Sequence, residues 1–157
     1  MRAAPSACYH RRAVLPVAPT LTPRLQGIHA FLHHDAAVDF AMLFGSRAAG
    51  TARPDSDHDV AVLLRAELDR EQRHQWLRNA YAALVPPEDL DLIVLNDAPP
   101  LLGHRALMGQ VMFVRDRSRY VEYFVRTLAR SNDEAWWRGE HDRARRQRLA
   151  EGRFGRP

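Results

Sequence analysis

The apolar residues of the chain recur with two different periods. Thr22 and Pro23 predict the start of a helix, because a hydroxyl side chain caps a helix and proline suits its first turn. Apolar residues then repeat at helical spacing through about residue 34. The same spacing predicts three further helices, over residues 68–84, over residues 100–108 and from residue 117 onward.

Short apolar runs between these helices predict strands. The runs occupy residues 38–44, 57–64 and 90–95, and residues 111–114 could form a shorter edge strand. Gly45 and Ser46 end the first run, and one helical turn is expected over residues 46–51. A β-α-β return would place the third strand alongside the first two. We therefore expect an α/β (α+β) fold in which helices flank a small mixed sheet.

Composition divides the 157 residues into three parts. Residues 1–20 are rich in proline and alanine and are predicted to form a flexible arm, residues 21–116 form the globular core, and residues 117–157 form a helical C-terminal extension. Trp136 and Trp137 in this extension cannot both face one side of a helix. At least one of them therefore indicates a contact with a second helix, a second chain or a partner.

The absence of lysine excludes two mechanisms, and the distribution of charge favours a cation-binding site. All 23 basic residues are arginine, whereas a P-loop and a Schiff-base enzyme both need a lysine. The charge is also unevenly distributed, because residues 25–116 carry −5 between ends that carry +4 and +5. An acidic middle segment suits a site that binds cations, and nucleic acid is not the expected partner.

Several classes of protein are excluded by what the sequence lacks. It contains no apolar run of about 18 residues and no signal-peptide core at its N-terminus. The single Cys8 excludes an intrachain disulfide. The eight histidines show neither an HExxH motif nor a cysteine at ligand spacing. We expect a cytoplasmic protein without a membrane partner or a zinc site.

The pattern that indicates chemistry is Gly45-Ser46, followed after ten residues by Asp57-His58-Asp59. On a strand, Asp57 and Asp59 would face the same side, roughly 6.6 Å apart. Two such carboxylates repel each other unless a cation lies between them, and Mg²⁺ binds carboxylates while leaving positions open for phosphate oxygens. A DxD pair alone is weak evidence, because such pairs also occur on solvated faces.

The residues before the loop add a candidate phosphate site. Gly45 lets the backbone approach a ligand closely, Ser46 offers a hydroxyl donor, and Arg47 can bind a phosphate through two N–H groups. The loop over residues 47–56 has the length needed to set this site beside the two aspartates. Arg53 in this loop is expected to be solvated.

The third predicted strand supplies a further carboxylate. Asp91 lies inside this strand, between two leucines, whereas Asp89 follows two prolines and a glutamate and is expected in a loop. We therefore prefer Asp91, with Asp89 as the alternative. His58 alternates with the two aspartates of the motif, so it is expected to point away from them and to pack.

The segments LFGSRAAGTARPDSDHDVAVLL and LDLIVLN resemble the DNA polymerase β-type nucleotidyltransferase superfamily. More narrowly, they are similar to the minimal nucleotidyltransferases (MNT), which are the antitoxins of HEPN/MNT toxin–antitoxin pairs. The resemblance runs from about residue 25 to 116 and implies a polymerase-β-like nucleotidyltransferase core. His58 is a departure, because the family often has an apolar residue there.

The resemblance also implies roles for the residues of the site. Gly45 and Ser46 would hold the nucleoside triphosphate. Asp57, Asp59 and Asp91 would be the catalytic carboxylates that bind Mg²⁺, as two ions about 3.5–4 Å apart, and Asp91 would help to activate the acceptor hydroxyl. Catalysis would rest mainly on positioning and charge neutralisation.

The implied reaction is transfer of AMP from ATP to a hydroxyl. The resemblance to the antitoxins implies that this hydroxyl belongs to a tyrosine of a cognate HEPN toxin. Two alternatives stay open: a small-molecule nucleotidyltransferase of the aminoglycoside type, and an antitoxin that only docks to its toxin. The acceptor residue, the base preference, the number of nucleotides added and the homo- or hetero-oligomeric state are not determined by the sequence.

Overall fold

The computed structural model describes residues 22–84 and 89–131. The helices are α1 (Pro23–His34), α2 (Gly45–Ala49), α3 (Arg70–Ala83), α4 (Pro100–Leu107) and α5, whose described part covers residues 117–131. The strands are β1 (Val38–Phe44), β2 (His58–Leu64), β3 (Leu90–Val94) and β4 (Gln110–Val114). The predicted arm over residues 1–20, and the extension beyond residue 131 with Trp136 and Trp137, lie outside the described residues.

The four strands form one mixed sheet in the order β3-β2-β1-β4. β1 runs antiparallel to its neighbours β2 and β4, whereas β3 runs parallel to β2 and is joined to it through α3. The predicted fold class, a small mixed sheet flanked by helices, is confirmed. The β-α-β return predicts that β3 lies beside both β1 and β2. In the structure β3 pairs only with β2, and the second neighbour of β1 is β4.

Local capping sets the starts of two helices. The Thr22 hydroxyl accepts a hydrogen bond from the Leu25 N–H at 3.2 Å, which begins α1 as predicted. Asp69 and Gln72 form a capping box at the start of α3. The box places the start of α3 at Arg70, slightly later than the apolar spacing alone predicts.

β1 contributes apolar side chains to both faces of the sheet. One core cluster contains its Phe40, Met42 and Phe44, and the other contains its Val38, Ala41 and Leu43. The alternation changes phase near Asp39, because the register with β2 shifts between Val38 and Phe40. At this irregularity, the buried Asp39 forms an ion pair with Arg119 of α5 at 3.3 Å.

Helices cover both faces of the sheet. The cluster on one face contains residues of α1 and α3, and the cluster on the other contains residues of α4 and α5. On the α5 side, the Phe40 ring meets Tyr120 edge-on at 5.1 Å and lies 5.7 Å from Tyr123. The predicted aromatic stripe of α5 is therefore part of the core. In the described ranges, no helix is long and apolar enough to cross a bilayer.

Asn96 extends the hydrogen bonding of the sheet beyond β3. Its side-chain carbonyl accepts from the Leu64 N–H at 2.8 Å, and its amide donates to the Leu64 carbonyl at 2.9 Å. Because Asn96→Ala leaves two backbone groups without these partners, we expect the free energy of unfolding to fall by about 1–3 kcal/mol. Chemical denaturation measures this loss.

The matched control is Asn79→Ala, which removes a hydrogen bond to Gln75 on the exposed surface of α3. It should change the free energy of unfolding by less than about 0.5 kcal/mol. Equal losses in the two variants would contradict the role of Asn96 in the sheet.

Candidate active site

The end of β1 and the starts of β2 and β3 lie together at one end of the sheet. Because β1 is antiparallel to β2 and β3 is parallel to it, the end of β1 lies beside the starts of the other two strands. Phe44 is paired with Asp59, and Asp59 is paired on its other side with Asp91. The structure thereby brings the bend after Phe44 next to two of the three candidate carboxylates.

Gly45 lies directly against the carboxylate of Asp59. Its φ angle is +68°, and a Cβ atom placed on it would lie 2.0 Å from Asp59 Oδ2. Both the backbone conformation and the close approach therefore require glycine. The next residue, Ser46, is half-buried, and its hydroxyl makes no hydrogen bond with the described part of the chain. This hydroxyl is free to donate to a ligand at the same bend.

Arg47 holds the loop that leads to Asp57. Its Nε donates to the Ser56 carbonyl at 2.9 Å and to the Asp57 carbonyl at 3.1 Å, and its Nη2 also donates to Ser56. The sequence makes Arg47 a candidate phosphate ligand, and in the structure its Nε and Nη2 donate to these carbonyls. Arg47 is therefore placed as a positioning residue for Asp57, which is exposed and lies immediately before β2.

Asp59 lies in an acidic environment. Partial burial raises the pKa of its carboxyl, and the charges of Asp91 and Asp57 raise it further, whereas His58 lowers it. A carboxylate that is destabilised by like charges gains more than an isolated one when a cation binds beside it. The electrostatics of this strand end therefore favour a bound cation.

The donor set suits a hard divalent cation such as Mg²⁺. All three candidate ligands are carboxylates, and the backbone at Gly45 leaves no side chain between them and the bend. In residues 22–84 and 89–131, however, no three acidic, histidine or cysteine side chains are already grouped closely enough to hold a metal ion. A metal bound by Asp57, Asp59 and Asp91 together requires them to approach one another more closely.

Asp89 and His58 belong to the opposite side of the sheet. Arg24 of α1 donates to both oxygens of Asp89, at 2.8 and 3.1 Å, and this contact lowers the pKa of the Asp89 carboxyl. His58 is buried, as expected, with its Nδ1 3.1 Å from the Asp89 carbonyl. Its Nε2 is buried without a partner among the described residues. The ion pair to α1 favours Asp91 over Asp89 as the third carboxylate.

A cleft of about 630 Å³ opens beside Asp59. One wall is formed by the end of β1 and by α2, and the other by the last turn of α4 and by Gly109. The α4 wall contributes His104, Arg105 and Met108. Reasoning from the sequence did not identify these residues, because their helical spacing carries no sign that the helix ends at this cleft.

A family model and solved structures are similar to this chain. Residues 26–118 match the family model described as Polymerase beta, Nucleotidyltransferase. A crystal structure of a toxin–antitoxin with AMP-PNP is similar, with a TM-score of 0.52 at 23% identity over 83% of this chain and 98% of that chain. A mutant of the MntA-HpeT toxin–antitoxin gives a TM-score of 0.52 at 22% identity over the same shares.

Among curated proteins, none matches this chain in sequence. The family model covers more than half of the chain, including β1, the loop, β2, β3 and β4. The two solved structures share the fold at low identity. The chain therefore belongs to the polymerase beta nucleotidyltransferase family.

Proposed function

We propose that this protein is an Mg²⁺-dependent minimal nucleotidyltransferase that transfers AMP from ATP to a protein hydroxyl. The observation that carries the proposal is the placement of Asp59 between Asp91 and Gly45, with the carboxylate directly against the glycine backbone. This arrangement joins a cation site to a bend that can receive phosphate oxygens. Nucleotidyl transfer needs both in one pocket.

Each residue of the site has its own role in the proposed reaction. The Gly45 backbone and the Ser46 hydroxyl bind the triphosphate at the mouth of the cleft. Asp57, Asp59 and Asp91 would hold Mg²⁺, as two ions, and the bound metal would neutralise charge on the phosphate oxygens. Arg47 keeps Asp57 in place through the loop carbonyls.

Asp91 also accepts the proton of the acceptor hydroxyl. It is exposed at the start of β3, so an acceptor from solution can reach it. The acceptor oxygen then forms a bond to the α-phosphorus, the bond from the α-phosphorus to the bridging oxygen breaks, and pyrophosphate leaves with that electron pair. Positioning and charge neutralisation account for most of the acceleration.

The acceptor in this proposal is a tyrosine of a cognate HEPN toxin, and the transfer silences the toxin. The toxin–antitoxin structure with AMP-PNP has the same fold, which supports both a toxin as partner and an adenine nucleotide as donor. The motif-level similarity to MNT antitoxins points to the same pairing. The reaction is proposed for the cytoplasm.

The test is incubation of the protein with ATP labelled at the α-phosphate, Mg²⁺ and the product of the neighbouring gene. We expect label on a tyrosine of that product, and no transfer when EDTA is present. The double variant Asp57→Ala, Asp59→Ala should transfer no label, whereas Asp55→Asn, a change at an exposed acid of the same loop, should behave as the wild type. Label that persists in the double variant would refute the site.

The same variants separate the two alternatives. A docking antitoxin would neutralise the toxin equally well with and without the two aspartates. A small-molecule enzyme would protect growing cells against aminoglycosides and leave the neighbouring product unlabelled. Loss of both labelling and neutralisation in the double variant supports the proposed transfer.

A further inference from the structure

The cleft beside Asp59 has an acidic wall and a basic wall. Asp59 lies on the first wall, and Arg105 lies on the second, in the last turn of α4. Both residues line the cleft, and no ion pair or hydrogen bond joins them. The two walls are therefore separated by space that a ligand can enter.

Arg105 has no partner of its own in the described residues. Its guanidinium makes no hydrogen bond or salt bridge with residues 22–84 or 89–131, and the residue is exposed. Two other arginines near this end of the sheet have partners, Arg24 in Asp89 and Arg47 in the loop carbonyls, and Arg53 lies on the exposed loop and does not line the cleft. Arg105 is the arginine of the cleft wall that remains available to an anion.

The position of Arg105 relative to the Gly45 bend is set by two close backbone approaches. A Cβ atom placed on Gly109, just after α4, would lie 2.2 Å from the Leu43 carbonyl oxygen of β1. A Cβ atom placed on Gly103 would lie 2.4 Å from the Tyr123 hydroxyl of α5. α4 therefore packs closely on α5, and the residue that follows α4 packs closely on β1. This packing holds the turn that carries Arg105 at the cleft.

The wall next to the bend offers no other cation. On this wall, α2 contributes Ala48 and Ala49, whose side chains are small and uncharged. A nucleoside triphosphate carries several negative charges. Next to the carboxylates, only the phosphate charges that bound Mg²⁺ neutralises are tolerated, because the others are repelled. The remaining phosphate charge requires a cation from the facing wall, and a guanidinium binds phosphate through two parallel N–H groups.

We propose that Arg105 is a substrate-binding residue that contacts the distal phosphates of the nucleotide from the α4 wall. This inference rests on the proposed function, because it assumes a nucleoside triphosphate in the cleft. The simpler explanation is that Arg105 only complements the negative end of the α4 dipole, which predicts a small effect on stability and none on ligand binding.

The experiment measures binding of Mg·ATP and of AMP to the full chain by calorimetry, in the wild type and in Arg105→Gln. We expect the variant to bind Mg·ATP about 10- to 100-fold more weakly, which is the range for losing hydrogen bonds to a charged group, and to bind AMP as the wild type does. Arg105→Lys should recover part of the affinity for Mg·ATP, because it restores the charge without the planar guanidinium.

The control is Arg78→Gln on α3, whose arginine pairs with Glu71 on the surface and should leave both affinities unchanged. Affinity of Arg105→Gln for Mg·ATP within twofold of the wild type would overturn the inference and leave the proposed function standing. An equal loss for AMP and Mg·ATP would also overturn it, because the contact would not involve the distal phosphates. A wild type that binds neither ligand would overturn the proposed function itself, and the inference with it.

Discussion

Replacing Gly45 with alanine is expected to reduce nucleotidyl transfer by at least about 100-fold, the loss that follows a displacement of about 1 Å at a reacting centre. The added Cβ would lie 2.0 Å from Asp59 Oδ2, so the carboxylate has to move away from the bend. The φ angle of +68° adds backbone strain, which lowers the free energy of unfolding by about 1–3 kcal/mol. Transfer assays and chemical denaturation measure the two effects separately.

Gly50→Ala separates the strain from the collision. Gly50 has nearly the same φ, +72°, but a Cβ placed on it meets nothing within 4 Å. This variant should lose a comparable amount of stability and keep most of its activity. If both variants lost activity equally, the contact between Gly45 and Asp59 would not be the cause.

Replacing Asp59 with asparagine is expected to reduce transfer by about 10²–10³-fold or more, while making the protein more stable at neutral pH in the absence of Mg²⁺. Burial and the charges of Asp91 and Asp57 raise the pKa of the Asp59 carboxyl, so the folded state disfavours its ionised form. Asparagine occupies the same volume without the charge. An activity assay measures the loss of transfer, and thermal unfolding in EDTA measures the gain in stability.

The pH dependence follows from the direction of this shift. Because the folded pKa of Asp59 is higher than the unfolded one, its contribution to stability is fully present below the unfolded pKa and is lost as the pH rises through the folded pKa. The gain in melting temperature from Asp59→Asn should therefore be absent at low pH and grow as the pH rises above the ordinary aspartate pKa.

Mg²⁺ provides the complementary measurement. It should raise the melting temperature of the wild type and have little effect on Asp59→Asn, because the variant lacks a ligand of the proposed site. The control is Asp55→Asn, at an exposed position of the same loop, which should respond to both pH and Mg²⁺ as the wild type does. An Asp59→Asn variant less stable than the wild type at neutral pH would contradict the electrostatic argument.

The elements could be predicted because their signals are local. The apolar run of β1 and the cap at Thr22 are each contained within a few consecutive residues, and the structure has both where the sequence places them. The phase change near Asp39 could not be predicted in this way. It depends on pairing with β2 and on an ion pair to Arg119, which is far along the chain.

The same distinction between local signals and distant contacts applies to the candidate site. The spacing from Gly45 to Asp59 is a property of one continuous segment, so it could be found from the sequence and is reinforced by the family match over residues 26–118. The surroundings of Arg47 and Arg105 could not be predicted in this way. The loop carbonyls engage Arg47, and the packing of α4 brings Arg105 to the cleft.

By itself, the sequence determined the order of helices and strands, the family and the carboxylates that merit testing, because each depends on neighbouring residues or on a short motif. Only the tertiary structure decided that Asp59 pairs with Asp91, that Asp89 is bound by Arg24, and that α4 forms the facing wall of the cleft. These facts depend on strand register and on contacts between residues distant in the chain, which no local pattern encodes.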